Sequence, residues 1–243
     1  MKTCKPNDAF GRPLHRLEIA RKVFDHIELK RCHFDSIIDV GGAQGAWLHA
    51  ARERFKATRI RCYDHPDMRT RELLIDSENY TFCDLEQREK QFNQADLAIC
   101  VECLEHLSPD AAERVFELLC SSASALLFSA ALPRQDGVGH INGRWSAHWR
   151  RRLLDNGFVE MTDFKRKILF DSSIPYYLRQ NLSLYIKKDE GIKCIQLARP
   201  NDDLLFVPLD FEIVHHQILK KPYRLRELFK MLWLSIKRKL IGS

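Results

Sequence analysis

Three aspartates close three short apolar runs. Asp39 lies two residues before the turn Gly41-Gly42-Ala43-Gln44-Gly45, Asp64 ends RIRCYD, and Asp84 ends YTFCD. Gly41, Gly42 and Gly45 let a backbone come close to a ligand, and the first turn of a following helix offers free N–H donors. A carboxylate in front of that turn repels a phosphate and attracts an ammonium. The line D-V-G-G-A-Q-G also departs from the G-x-G-x-x-G of dinucleotide sites.

One cofactor has an ammonium, a ribose and an adenine but no phosphate: S-adenosylmethionine. Asp39 would face its ammonium, Asp64 the ribose hydroxyls and Asp84 the adenine amine. A lone aspartate at a strand end is more often a cap or a solvated turn, and the argument rests on all three together. Further along, RQDGVGHINGRW combines a histidine with polar, aromatic and glycine residues. His140 is the candidate base for an acceptor hydroxyl. Asn142 and Arg144 can orient polar groups, and Trp145 offers a flat face to a sugar ring. Gly137, Gly139 and Gly143 would let the loop move as a lid. Tyr176, Tyr177 and Arg179 are further acceptor contacts. Cys100 and Cys103 form a C-x-x-C without a second pair, so no metal is expected there.

These residues need a scaffold that puts strand ends side by side. Apolar residues recur at helical spacing from Leu14 to Leu29. Strand-like and helix-like runs then alternate: SIIDVG, the helix Gln44–Lys56, TRIRCYD, YTFCD, ADLAICVE, the helix Pro109–Cys120 capped by Ser108, ALLFSAAL, the helix Ala147–Asn156 and NLSLYIK. That alternation predicts a Rossmann-like α/β fold, doubly wound, with a mostly parallel sheet, helices on both faces and helical appendages at each end. The expected division is a helical segment at 1–35, the main domain at 36–188, an extension at 189–219 and a basic amphipathic helix at 220–243.

The segments IIDVGGAQGAWL, CDLEQ, ADLAICVECLEHL, LLFSAALPRQDGVGHINGRW, HWRRRLLDNGF and IPYYLRQNLSLYI together resemble class I S-adenosylmethionine-dependent methyltransferases. More narrowly, they resemble the bacterial branch associated with glycan and natural-product biosynthesis. The resemblance implies that Asp39, Gly41 and Gly45 surround the methionine part of the cofactor, with Asp64 on the ribose and Asp84 by the adenine. It also implies that Cys100–His106 lines the methyl-donor cleft with Glu102 pointing toward it. Ala43 stands where that family usually has glycine. Glu105 and His106 are read equally as capping residues or as part of the site.

The 243 residues carry a net charge of +6. From Lys220 to Ser243 there are eight basic residues and one acidic one, a surplus of +7, which leaves −1 for the rest. A near-neutral body argues against a nucleic-acid partner. A basic stripe beside Leu225, Leu228, Phe229, Leu232, Ile236 and Leu240 suits an anionic membrane surface. No apolar run is long enough to span a bilayer and no secretory leader is read, so the expected location is cytoplasmic, peripheral on the inner membrane face. The expected activity is O-methylation of a sugar hydroxyl on a glycan or related small molecule, a lipid-linked one included. The alternatives are N- or C-methylation of another small molecule, or a non-catalytic cofactor-binding scaffold in a glycan-assembly complex.

Overall fold

The computed structural model describes residues 13–28, 33–87 and 91–188. The expected extension at 189–219 and the basic helix at 220–243 lie outside them. Helix α1 (Pro13–Asp25) precedes β1 (Ser36–Val40), α2 (Ala46–Phe55), β2 (Arg59–Asp64), β3 (Tyr80–Phe82), β4 (Ala95–Val101), α3 (Pro109–Ser122) and β5 (Ala123–Ser129). The chain continues through α4 (Ser146–Asp155), β6 (Phe158–Glu160), α5 (Thr162–Phe170), α6 (Tyr176–Asn181) and β7 (Ser183–Lys187). Seven strands form one sheet in the order β3-β2-β1-β4-β5-β7-β6. Pairing is parallel from β3 to β5, and β7 runs antiparallel to both β5 and β6. This is the doubly wound, mostly parallel architecture expected.

Alternation along the strands divides the core into two layers, because successive side chains point to opposite faces. Ile37, Leu97, Ile99, Ala125 and Leu127 pack with α1, α2, α5 and α6. Ile38, Val40, Ala98, Cys100, Leu126 and Phe128 pack with α3 and α4. The N-terminal helix is built into the first layer: Leu17, Ala20, Val23 and Phe24 belong to that core, and the Phe24 ring meets Trp47 and Phe55 edge-on. Ser108 caps α3 by accepting from the amide of Ala111, with Pro109 at its first position. Between β2 and β3 the chain forms a 3-10 turn at Pro66–Thr70.

Two features of the C-terminal half are absent from the sequence reading. Strand β6 is three residues long, and α5 has no capping side chain at Met161. Both are too short for a periodic signal of their own. They are held by β7, which inserts between β5 and β6.

Candidate functional site

Strand order reverses between β1 and β4. In open α/β sheets ligands bind beyond the carboxyl ends of the strands at such a point. A cavity of about 370 Å³ lies there, within the range of about 300–1,000 Å³ usual for small-molecule sites. Gly41, Gly42, Ala43 and Gln44 come to its wall from the turn after β1, Asp64 from the end of β2, and Asp84 from the turn after β3. Val101, Glu102, Cys103 and His106 come from the end of β4 and the turn that follows. Helix α1 contributes Arg16, and α6 contributes Tyr177.

The turn after β1 is shaped by backbone geometry. Gly41 and Gly45 have φ of +75° and +81°. A side chain at either would also collide with protein: a Cβ on Gly41 would lie 2.3 Å from Cys103 Sγ, and one on Gly45 would lie 2.7 Å from the Tyr80 hydroxyl. Glycine is therefore required here by packing as well as by conformation. Ala43, the departure from the resembled family, adopts φ of +50°, a left-handed conformation that costs a non-glycine residue about 1 kcal/mol. Its amide donates to Asp64 Oδ2 at 2.6 Å, and its carbonyl accepts from the Tyr80 hydroxyl at 3.2 Å. These bonds hold the strained residue in place.

Asp64 accepts from two amides, Ala43 on Oδ2 and His65 on Oδ1, both at 2.6 Å. Burial raises its pKa, and those two amides act in the opposite direction. Each carboxylate oxygen keeps a second lone pair, and the residue stands on the cavity wall. Asp84 makes a tight turn, accepting from the Glu86 amide at 3.0 Å, and it too stands on the wall. The capping role and the wall position are thus both present in one residue.

Asp39 and Gly45 do not reach the wall. Strand alternation turns Asp39 toward α2, where it is 1% exposed. Gly42 lies directly over it, so that a Cβ there would be 2.5 Å from Asp39 Oδ2. Burial, and then the neighbouring Asp64, push the Asp39 carboxyl up to about 8, while the Leu48 amide in α2 works against them. The expectation that Asp39 faces a ligand ammonium therefore does not hold as a contact; its influence passes through the turn above it.

Glu102 sits at φ of +51° immediately after β4. Its amide bonds to both the carbonyl and the hydroxyl of Ser129 at 3.1 Å. Gln135 Nε2 donates to its carboxylate at 2.7 Å and Asn181 Nδ2 at 3.2 Å, and Asn181 also donates to Gln135 Oε1 at 2.8 Å. Neither Gln135 nor Asn181 stands out in the sequence, since each is an ordinary amide in a polar stretch. Burial raises the Glu102 pKa, and these donors oppose the rise. Arg16 was also missed; burial lowers its pKa while Tyr177 and Asp64 raise it.

The loop after β5 folds over the turn after β4. The amides of Ile141 and Asn142 donate to the Glu105 carbonyl at 2.9 and 3.0 Å. Asn142 is buried, with Nδ2 donating to the Leu104 carbonyl at 3.4 Å and Oδ1 accepting from Arg144 Nε at 2.9 Å. Asn142, Arg144 and Trp145 lie off the cavity wall, and Val138 is the loop residue on it. His140 also lies behind the wall, with its ring edge-on to His106 at 4.9 Å between centroids. Its Nδ1 is 3.1 Å from the Gln135 carbonyl, and its Nε2 is 4.0 Å from Glu105 Oε1. His106, which is on the wall, is pushed below the usual histidine range by burial and then by His140. Glu105 is completely buried and is pushed up to about 9 by that burial and by Glu102. Tyr177 is on the cavity wall, whereas Tyr176 lines a separate hollow with His15, Lys22 and Arg179. Cys100 and Cys103 are buried, and their mutual hydrogen bond and burial hold the Cys103 thiol well above its ordinary pKa.

No family model matches the chain, and no curated protein matches it. Solved structures do resemble it. A chain from the complex between the Haloferax volcanii Trm112 methyltransferase activator and a candidate methyltransferase superposes with a TM-score of 0.51 at 12% identity, over 72% of this chain and 92% of that one. Human N-acetylserotonin methyltransferase in complex with SAM gives a TM-score of 0.47 at 16% identity, over 76% of this chain and 60% of that one. An O-methyltransferase family protein from Burkholderia thailandensis gives 0.48 at 17%, over 72% and 55%. The chain thus spans between half and two thirds of the length of the last two. At these identities the likeness concerns the fold: the chain has the Rossmann-like methyltransferase fold. Among the described residues no helix is long and apolar enough to cross a membrane.

Proposed function

We propose that this protein is an S-adenosylmethionine-dependent methyltransferase that O-methylates a sugar hydroxyl on a glycan or a related small molecule. One observation carries the reading. The cavity at the switch point has carboxylates at the end of β2 and in the turn after β3, Asp64 and Asp84, both to one side of a turn after β1 that presents glycine backbone and no basic side chain. That part of the wall accepts hydroxyl and amine protons and repels phosphate, with Arg16 of α1, which interacts with Asp64, the arginine on the same cavity. The cavity residues fit S-adenosylmethionine on this ground. Asp64 would take the ribose hydroxyls on its free lone pairs, Asp84 the adenine edge, and the Gly41–Gly42 backbone with Glu102 the methionine end.

When bound, the cofactor supplies a methyl group already activated on a sulfonium, so the protein has mainly to orient an acceptor and keep water away. Val138 and Tyr177 close the acceptor end with apolar surface. His106, backed by His140 and Glu105, is the group there that can meet an acceptor hydroxyl. Asn142 and Arg144 hold the loop that carries His140, and Trp145 leads into α4. The basic segment 220–243 would bring this body to an anionic membrane surface carrying a lipid-linked acceptor.

Calorimetry with S-adenosylmethionine, its demethylated product and NAD tests the cofactor. The first two should bind and NAD should not. Asp64→Ala should weaken the first two by about ten- to a hundredfold, the worth of a charged acceptor at roughly 1.5–3 kcal/mol. Unchanged binding in that variant would remove Asp64 from the ribose. Incubation with methyl-labelled cofactor and extracts of nucleotide-linked and lipid-linked glycans then identifies the acceptor; label confined to a nitrogen or carbon would overturn the O-methyl reading.

A further inference from the structure

The group behind the acceptor end, Glu105, His106 and His140, has a property that meeting an acceptor hydroxyl does not use. Glu105 is completely buried, and neither of its carboxylate oxygens makes a well-formed hydrogen bond among the described residues, the backbone amides of Glu105 and Ala131 being its near neighbours. A buried carboxylate left that way is costly, and native structures avoid it unless something else satisfies the charge. His140 faces it. The contact of His140 Nδ1 with the Gln135 carbonyl at 3.1 Å places the ring proton on Nδ1. The lone pair is then on Nε2, which stands 4.0 Å from Glu105 Oε1. The Nε2 lone pair and the Glu105 carboxyl face each other across a gap too long for a hydrogen bond. His106 is held in the same manner, with Nδ1 3.3 Å from the Gly139 carbonyl. One ligand atom from each of the three residues lies within 4.8 Å of the others.

We propose that Glu105, His106 and His140 form a binding site for a divalent transition-metal cation. Both histidines donate their second ring nitrogen to a backbone carbonyl, the support that metal-bound histidines usually have. Two imidazoles and a carboxylate select zinc, cobalt, iron(II) or manganese over calcium and magnesium, which prefer all-oxygen sets. Donor atoms around one such ion stand about 3–3.5 Å apart, against 4.0 Å for His140 Nε2 to Glu105 Oε1 and up to 4.8 Å within the set, so the rings have to close by roughly half an ångström to two ångströms. The loop permits this. Gly137 lacks the Cβ that would lie 2.1 Å from the His140 ring, and Gly139 takes a φ of +79°. The Ile141 and Asn142 amides on the Glu105 carbonyl keep loop and carboxylate in register. Because His106 is on the cavity wall, a cation held here has one face toward the acceptor end, where it can hold an acceptor oxygen and ease loss of its proton. Binding of the cation stands without the methyltransferase reading; only this role rests on it.

The test uses the full chain, stripped with a chelator and titrated with Co²⁺ while visible absorption is recorded. One equivalent should bind, giving d–d bands without the thiolate charge-transfer band that a cysteine site would show. Glu105→Gln and His140→Ala should each weaken Co²⁺ at least about tenfold, the loss seen even for outer partners of metal ligands. His106→Ala, at a more exposed position, gives the same reading should the buried variants fail to fold. S-adenosylmethionine affinity, measured by calorimetry, should stay level in all three. Absence of Co²⁺ binding, a thiolate band, or binding indifferent to His106→Ala and Glu105→Gln would each overturn the site. Co²⁺ binding without cofactor binding would instead keep the site and sink the methyltransferase reading.

Discussion

At the β1–β2–β3 end of the cavity, the wall residues of the sheet sit at a strand end or in the turn that follows it. At the β4–β5 end the wall is assembled from distant segments: Asn181 reaches Glu102 across 79 positions, and the loop at 135–142 folds back over the turn at 102–106. The first end is held by backbone donors on Asp64 and Asp84. The second is held by side-chain amides and histidines around the partly buried Glu102 and the fully buried Glu105, the latter with no well-formed hydrogen bond to its carboxylate. A surface made by the backbone tolerates sequence change, because main-chain groups are always present. A surface made by side-chain networks depends on each member, since a half-satisfied buried network costs more than none. The β4–β5 end is accordingly the more fragile and the more specialised of the two.

Substitutions can break that contrast. The largest effect is expected from His140→Ala, which should lower turnover by about 10²–10⁴-fold, the range for loss of a group that assists proton removal. Cofactor affinity should barely move, because His140 lies behind the opposite end of the cavity; a parallel loss of both would erase the distinction between the two ends. Lys165→Met comes next. The Lys165 ammonium donates to the carbonyls of Arg179, Gln180 and Leu182 at 2.6–3.2 Å, holding the end of α6 that supplies Asn181. Leaving these buried acceptors empty should cost about 1–3 kcal/mol, read as a lower melting temperature, with a fall in turnover larger than any change in cofactor binding.

The β1–β2–β3 end makes a prediction about pH. The folded Asp39 carboxyl is raised to about 8 by burial and by Asp64, against about 3.9 in an unfolded chain. Between these values the native state keeps a proton that the unfolded state has lost, so stability falls as pH rises from about 4 to 8 and levels off above. The penalty should be on the order of a few kcal/mol, and Asp39→Asn should flatten this part of the curve in urea melts across that range. A wild-type curve already flat there would show that Asp39 is ionised in the fold. The smallest effect is expected from Ala43→Gly. Relief of the left-handed strain is worth up to about 1 kcal/mol, partly offset by the greater freedom of glycine in the unfolded chain. The outcome is a small gain in melting temperature, with cofactor affinity nearly level. A loss of affinity would mean that the Ala43 methyl packs usefully against the ligand.

Outside the described residues, segment 220–243 should sediment with anionic vesicles, less so as salt is added, while deletion leaves cofactor binding intact. Failure to sediment would remove the membrane from the proposal.

Much of the first end was written in the chain. Strand, turn and acid are neighbours in sequence, so their types and spacing announced the parallel sheet, the glycine turn, and Asp64 and Asp84 on one wall. What local pattern did not reveal was direction. The period-two alternation of β1 turned Asp39 inward against α2, and Gly41 is glycine partly because Cys103 lies against it. The second end was legible only as a collection of polar residues in a loop. That His140 meets Glu105, that Asn142 braces the backbone, and that Gln135 and Asn181 hold Glu102 all depend on contacts between remote segments. So do the insertion of β7 between β5 and β6 and the part α1 plays in the cavity. Sequence determines what is local because a strand end and its turn share covalent geometry. Only the packed sheet decides which distant side chains meet, because burial and pairing across its edges set their positions.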